Sequence, residues 1–207
     1  MRRLLLLALI CTASPAAAQL VVPLATSDGR VACVQGMTGI GRLPVWQAIA
    51  DPGAQGGWAL AETVGDATDL RFPLCMGVGI VVRDVDATLR FKPVSGTHQR
   101  SAGLVLRGQD ANDYYVTRAS AIDRSVRLYR MQGGRRALLA SKEAAVKSGE
   151  WQTLRMVLDA DRFEVSLDGV SLFKGTDRSL LRPGAVGVWS EADSVTYFGS
   201  LLVAPAH

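Results

Sequence analysis

The residues best suited to chemistry are carboxylates, guanidinium groups and aromatic rings in two stretches of the chain, with a tyrosine between them. Glu191 and Asp193 stand two apart, a spacing that puts both carboxylates on one face if the strand continues through them. Such a pair can act as acid and base, and glycoside hydrolysis needs two carboxyl groups set across the sugar at a defined separation. Two acids at a strand end are equally a solvated rim. The run from Arg107 to Arg118 reads as strand, polar turn and strand, with Asp110, Asn112 and Asp113 at the tip. Alternation on the second strand places Tyr114, Val116 and Arg118 on one face and Tyr115 and Thr117 on the other. One tyrosine is therefore expected in the core and the other on the surface. Tyrosine and tryptophan rings stack on the apolar face of a sugar, and an arginine fork hydrogen-bonds vicinal hydroxyls or a keto oxygen. Arg107, Asn112, Tyr114, Arg118, Tyr129 and Trp189 are the candidate binding residues on that reasoning. Cross-strand Tyr and Arg pairs also stabilise ordinary sheets, and Trp151 and Trp189 can equally fill a core.

Other chemistries find less support. Asp110-Ala111-Asn112-Asp113 invites a calcium reading but lacks the glycine and distal glutamate of an EF-hand loop, so a side-chain turn cap is the simpler reading. His98 near Ser95 or Ser101 has no nucleophile elbow around it. A zinc site is not expected, because the chain has no CxxC pair and its only histidines are His98 and the terminal His207. No metal and no cofactor is implied.

The elements that must position these residues are short strands. From Val85 to Phe91 the alternation is strict, with Val85, Ala87, Leu89 and Phe91 on one side and Asp86, Thr88 and Arg90 on the other, as in a half-buried β-strand. Similar strands recur to Val203, and Gly133-Gly134 and Asp168-Gly169 are two-residue hairpin signals. Strands at this density predict an all-β antiparallel sandwich or barrel. Ser141 to Ser148 could hold a turn or two of helix. The part from Gln19 to Thr68 is rich in Gly, Pro and Ala and reads as loops with short apolar runs at Arg30–Val34 and Trp58–Val64.

The 207-residue chain opens with Met1-Arg2-Arg3, an apolar stretch from Leu4 to Ala13 and the small residues Ala16-Ala17-Ala18. This pattern is that of a cleavable signal peptide. The apolar stretch is about ten residues, half of the roughly 20 needed to span a bilayer, so no membrane anchor is expected after cleavage behind Ala18. Ile10 before Cys11 speaks against a lipoprotein site. The expected mature chain, residues 19–207, suits one domain in a periplasmic or extracellular location. Loss of Arg2 and Arg3 brings the net charge from +4 to about +2, which indicates no nucleic-acid partner. Arg135-Arg136, the adjacent basic pair of the mature chain, reads as a solvated face beside its Gly-Gly turn. Two cysteines remain, Cys33 and Cys75, either bridged or as buried thiols; a bridge would contribute on the order of 4 kcal/mol.

Several stretches carry a family resemblance: Arg71-Phe72-Pro73-Leu74, Phe91-Lys92-Pro93-Val94-Ser95-Gly96, the run from Ala102 to Arg118, Arg127-Leu128-Tyr129, Gly149-Glu150-Trp151, Leu167-Asp168-Gly169 and Gly187-Val188-Trp189 with Ala192-Asp193-Ser194. From Asp69 onward the chain resembles the concanavalin A-like lectin/glucanase superfamily, and within it the 3-keto-disaccharide hydrolase domain family. The resemblance implies a jelly-roll of two curved antiparallel sheets that meets carbohydrate on its concave sheet or rim, and an activity on 3-keto-glycosides. The E-x-D-x-x-E pattern of the superfamily's glucanases does not occur in the chain, and the N-terminal third departs from longer members. Three readings follow: a carbohydrate-binding sandwich, a hydrolase or lyase of 3-keto-disaccharides with Asp193 or Glu191 moving a proton, and a structural or partner-binding module of the cell envelope.

Overall fold

A computed structural model describes residues 19–206; the expected signal peptide lies outside them. Two antiparallel sheets pack face to face. One runs β13 (Val170–Thr176), β12 (Arg162–Leu167), β11 (Gln152–Asp159), β6 (Val85–Ser95), β15 (Val195–Pro205), β4 (Trp58–Glu62) and β3 (Trp46–Ala50), with β1 (Leu20–Val22) also paired to β15. The other runs β10 (Arg135–Glu143), β9 (Ser125–Gln132), β8 (Tyr114–Ser120), β7 (Ser101–Gly108), β14 (Gly184–Trp189), β5 (Arg71–Val82) and β2 (Cys33–Gly39). No helix among the described residues is long and apolar enough to cross a membrane.

The alternation of β6 does what its pattern requires: Val85, Ala87, Leu89 and Phe91 are fully buried and face Leu104, Leu106 and Val188 of the other sheet within one core cluster. The two-residue turns also form as expected, with positive φ at Gly133, Gly134, Asp168 and Gly169. Asp168, the one non-glycine of the four, caps its surroundings by accepting from the Thr153 N–H at 2.7 Å and the Gln152 amide at 3.0 Å.

Two expectations are corrected. Ser141 to Ser148 holds no helix, since β10 continues to Glu143 and extended chain follows. The N-terminal part is less loop-rich than its composition suggests, because β1 to β4 all lie in it. Of the two readings left open for Cys33 and Cys75, the bridge is the one present: a disulfide ties β2 to β5, Cα atoms 5.4 Å apart. Trp151 stays out of the inter-sheet core and lies on the outer face of the eight-stranded sheet, where Arg90 and Lys92 sit 5.0 and 5.2 Å from its ring centroid.

Candidate functional site on the concave sheet

The seven-stranded sheet curls tightly over its outer face. Tyr114 on β8 bonds Thr38 on β2 through their hydroxyls at 2.7 Å, although four strand spacings separate them. In a flat sheet those strands would be about 19 Å apart. Arg136 on β10 lies 4.9 Å from the Phe72 ring centroid on β5, five spacings away. Register shifts near Leu138 on β10 and near Ala185 on β14 supply the bending.

A second, aromatic core forms inside the curl, made of Phe72, Leu74, Val105, Tyr114, Val116, Tyr129, Met131 and Trp189. Trp189 stacks on Phe72 with ring centroids 5.4 Å apart. It can lie flat because position 103 is glycine: a Cβ there would meet Trp189 at 2.8 Å. Thus both tyrosines are buried, Tyr115 towards the inter-sheet core and Tyr114 within the concave cluster. The expectation of one surface tyrosine fails because the outer face of this sheet folds onto itself. Burial pushes the Tyr114 hydroxyl up to about 12.

An ion network closes the open end of this groove. Arg118 uses its whole fork: Nε donates to Glu191, one Nη to Asp123 at 2.6 Å and the other to Gln99. Glu191 also accepts from Arg136 at 2.7 Å. Arg127 stands 3.5 Å from Asp123 and donates to the Tyr129 hydroxyl at 3.4 Å. Burial works against the charge of Asp123, but Arg118 and then Arg127 and Arg136 outweigh it and hold the carboxyl below its usual range. The network divides by depth. Arg118 and Glu191 are almost wholly buried, whereas the side chains of Arg127, Arg136 and Asp123 keep 36%, 29% and 27% of their exposure. Three guanidiniums against two carboxylates leave a net positive rim, with Tyr129 beneath and the exposed Leu138 beside it.

Of the residues singled out from sequence, Arg118, Tyr129, Trp189, Tyr114 and Glu191 meet on this concave face. Three do not join them. Arg107 sits in a bulge of β7 at φ 52°, which turns its side chain to the opposite side of the sheet. There, fully buried, it donates to the carbonyls of Arg83, Ala160 and Leu180 at 2.7, 2.8 and 3.1 Å. Burial lowers its pKa, with Asp84 acting in the other direction. Asn112 is exposed at the β7–β8 hairpin tip, where its N–H donates to Asp110, as in a side-chain-capped turn, and its carbonyl accepts from Gly134. Asp193 is separated from Glu191 by Ala192 at φ 49°, past the end of β14, so the two carboxylates do not share a face. Asp193 accepts from the N–H groups of Gln99, Thr97 and His98 at 2.7, 2.8 and 3.0 Å and from the Thr97 hydroxyl. Burial would raise its pKa, but these donors outweigh it and hold the carboxyl at about 2.

The arginines at the exposed rim, Arg127 and Arg136, were not among the residues singled out. Arg127 was legible: it shares the i, i+2 face of Tyr129 and Met131, whereas Arg136 reads from sequence as a solvated turn residue. Among the described residues no group of three or more His, Cys, Asp or Glu side chains is placed to hold a metal.

Comparison with family models and with curated proteins gives no match. Solved structures do match in shape. A protein of unknown function with galectin-like fold from Bacillus subtilis superposes with TM-score 0.64 at 14% identity, over 90% of this chain and 94% of the other. The carbohydrate-binding module CBM66 from Bacillus subtilis gives 0.60 at 18% identity, over 70% and 86% of the two chains. Domain 4 of AbnA, an extracellular arabinanase from Geobacillus stearothermophilus solved with arabinotriose, gives 0.53 at 15%, over 83% and 82%. At such identities the likeness concerns the fold, and the chain is an all-β, antiparallel jelly-roll sandwich of the galectin-like and concanavalin A-like kind.

Proposed function

We propose that this is an exported carbohydrate-binding protein that holds a sugar at the open, charged end of its concave sheet. The observation that carries the reading is the rim itself: Arg127, Arg136 and Asp123 remain partly exposed above Tyr129 while Arg118 and Glu191 brace them from below. Forked donors and a carboxylate acceptor at a partly exposed rim suit the vicinal hydroxyls of a sugar. Similar folds described as a carbohydrate-binding module and as an arabinanase domain solved with arabinotriose support the same class of ligand. The disulfide between Cys33 and Cys75 and the signal-like first 18 residues support export to an oxidising compartment. The resemblance to 3-keto-disaccharide hydrolases adds keto sugars to the ligands worth testing, because a guanidinium also donates to a keto oxygen. Binding is favoured over turnover, since Glu191 is clamped by two arginines and Asp193 is occupied by four donors.

The test is saturation-transfer NMR of the mature protein with plain oligosaccharides and a 3-keto-glucoside. Transfer to a sugar that disappears in Arg127→Ala is the expected result. Silence from every sugar would remove the proposal, and cleaved product would replace binding by catalysis.

A further inference from the structure

Among the described residues the sandwich has five edge strands, β10 and β2 in one sheet and β13, β3 and the three-residue β1 in the other, and they are protected unequally. Exposed edges invite pairing with another chain unless they are charged, bulged or short. β10 carries Arg135, Arg136, Lys142 and Glu143 and a register shift; β13 carries Lys174 and pairs through a shift; β3 is only five residues long. β2 has none of these protections. It is seven residues long, regular against β5, and no residue from Val31 to Gly41 is charged.

The direction of its free hydrogen-bonding groups follows from Pro73. The Pro73 carbonyl accepts from Ser190, and Arg71, of the same parity, accepts from Ala192. These odd positions of β5 therefore face β14, and Phe72, Leu74 and Met76 face β2. Their partners in register are Thr38, Gly36 and Val34, which leaves the N–H and C=O groups of Cys33, Gln35 and Met37 pointing away from the sheet.

We propose that β2 pairs antiparallel with β2 of a second copy about a two-fold axis at Gln35, joining the two seven-stranded sheets. This pairing sets Gln35 against its own copy in a hydrogen-bonded pair, and Cys33 against Met37 twice. An uncharged edge meets itself without repulsion, and a two-fold contact requires that self-complementarity. The side chains agree. Val34 is 62% exposed, and this register places it opposite Gly36 of the other copy. Gly36 opens onto an apolar cleft of about 240 Å³, with Leu74, Met76, Ala111 and Ala185 in its lining. Val34 of the second copy would stand at the mouth of that cleft, where glycine leaves it room.

The experiment is sedimentation of the mature protein across roughly a hundredfold range of concentration, for the wild type, Gln35→Lys and Ser141→Lys. A concentration-dependent dimer is expected for the wild type and for Ser141→Lys, which adds charge to the opposite edge. Gln35→Lys places two ammonium groups at the axis and should weaken association about tenfold or more. Circular dichroism and thermal melting establish that it remains folded, and Val34→Asp serves as a second disrupting variant. A wild type that stays monomeric throughout, or a dimer indifferent to both Gln35→Lys and Val34→Asp, would overturn the proposal. So would a dimer lost in Ser141→Lys.

Discussion

The two faces of the seven-stranded sheet are both buried, by different means. On the inner face Leu104, Leu106, Val126, Leu128 and Val188 meet the aliphatic side chains of the second sheet, and the core comes from stacking two layers. On the outer face Tyr114, Tyr129, Trp189 and Phe72 meet one another because their own sheet curls, and Arg136 bridges Tyr129 to Phe72 at 4.7 and 4.9 Å. A curled sheet thus builds a core without a covering layer, but it needs large rings to span the hollow and a charged lid at the open end. That lid leaves guanidinium groups at the surface, so the candidate site follows from how the second core is closed.

If the concave cluster is a core in its own right, truncating it must cost as much as truncating the inner one. Trp189→Ala should lower stability by about 3–5 kcal/mol, and Leu104→Ala on the inner face by about 2–5 kcal/mol, read from urea midpoints. A Trp189→Ala variant nearly as stable as the wild type would make the outer face an ordinary surface. Glu191→Gln keeps the shape of the lid while removing the carboxylate between Arg118 and Arg136. The loss should be about 1.5–3 kcal/mol, smaller because Arg118 retains Asp123.

The inter-sheet core was legible in the sequence and the outer face only in part, for a reason visible in particular residues. Strict alternation in Val85–Phe91 identifies β6 because one of its faces meets solvent, so polarity and period agree. In β7 and β8 every residue is buried, and alternation no longer separates core from surface; hence the expectation of one surface tyrosine fails. The bulge that turns Arg107 inward depends on a positive φ at a residue type that does not announce it. The contact of Arg136 with Phe72 joins residues 64 apart in sequence across five strand spacings, and only the curvature of the sheet reveals it.

Acid should loosen the charged end of the concave sheet before the apolar parts of either core. Asp193 is held at about 2, below its ordinary 3.8, by the loop it anchors. Its contribution to stability is therefore present above pH 4 and lost as pH falls from about 4 towards 2. Asp193→Asn should flatten that limb of a stability-against-pH curve while leaving the neutral-to-alkaline part parallel to the wild type. An unchanged acid limb would mean that the Thr97–Gln99 loop is anchored by other contacts.

The smallest effect on stability is expected where the effect on binding is largest. Arg127 has a side chain 36% exposed, and its contact with Asp123 is 3.5 Å long, so Arg127→Ala should change stability by no more than about 0.5 kcal/mol. Arg118→Ala is the contrasting variant: it strands buried Glu191 and would lower stability by about 3–5 kcal/mol, so any sugar it fails to bind says little about recognition. If Arg127→Ala keeps its melting temperature and loses the sugar signal, the exposed guanidinium is a ligand contact. If it melts as early as Arg118→Ala, the rim belongs to the lid's internal bracing, and the separation between a buried support and an exposed site fails at the residue chosen to define it.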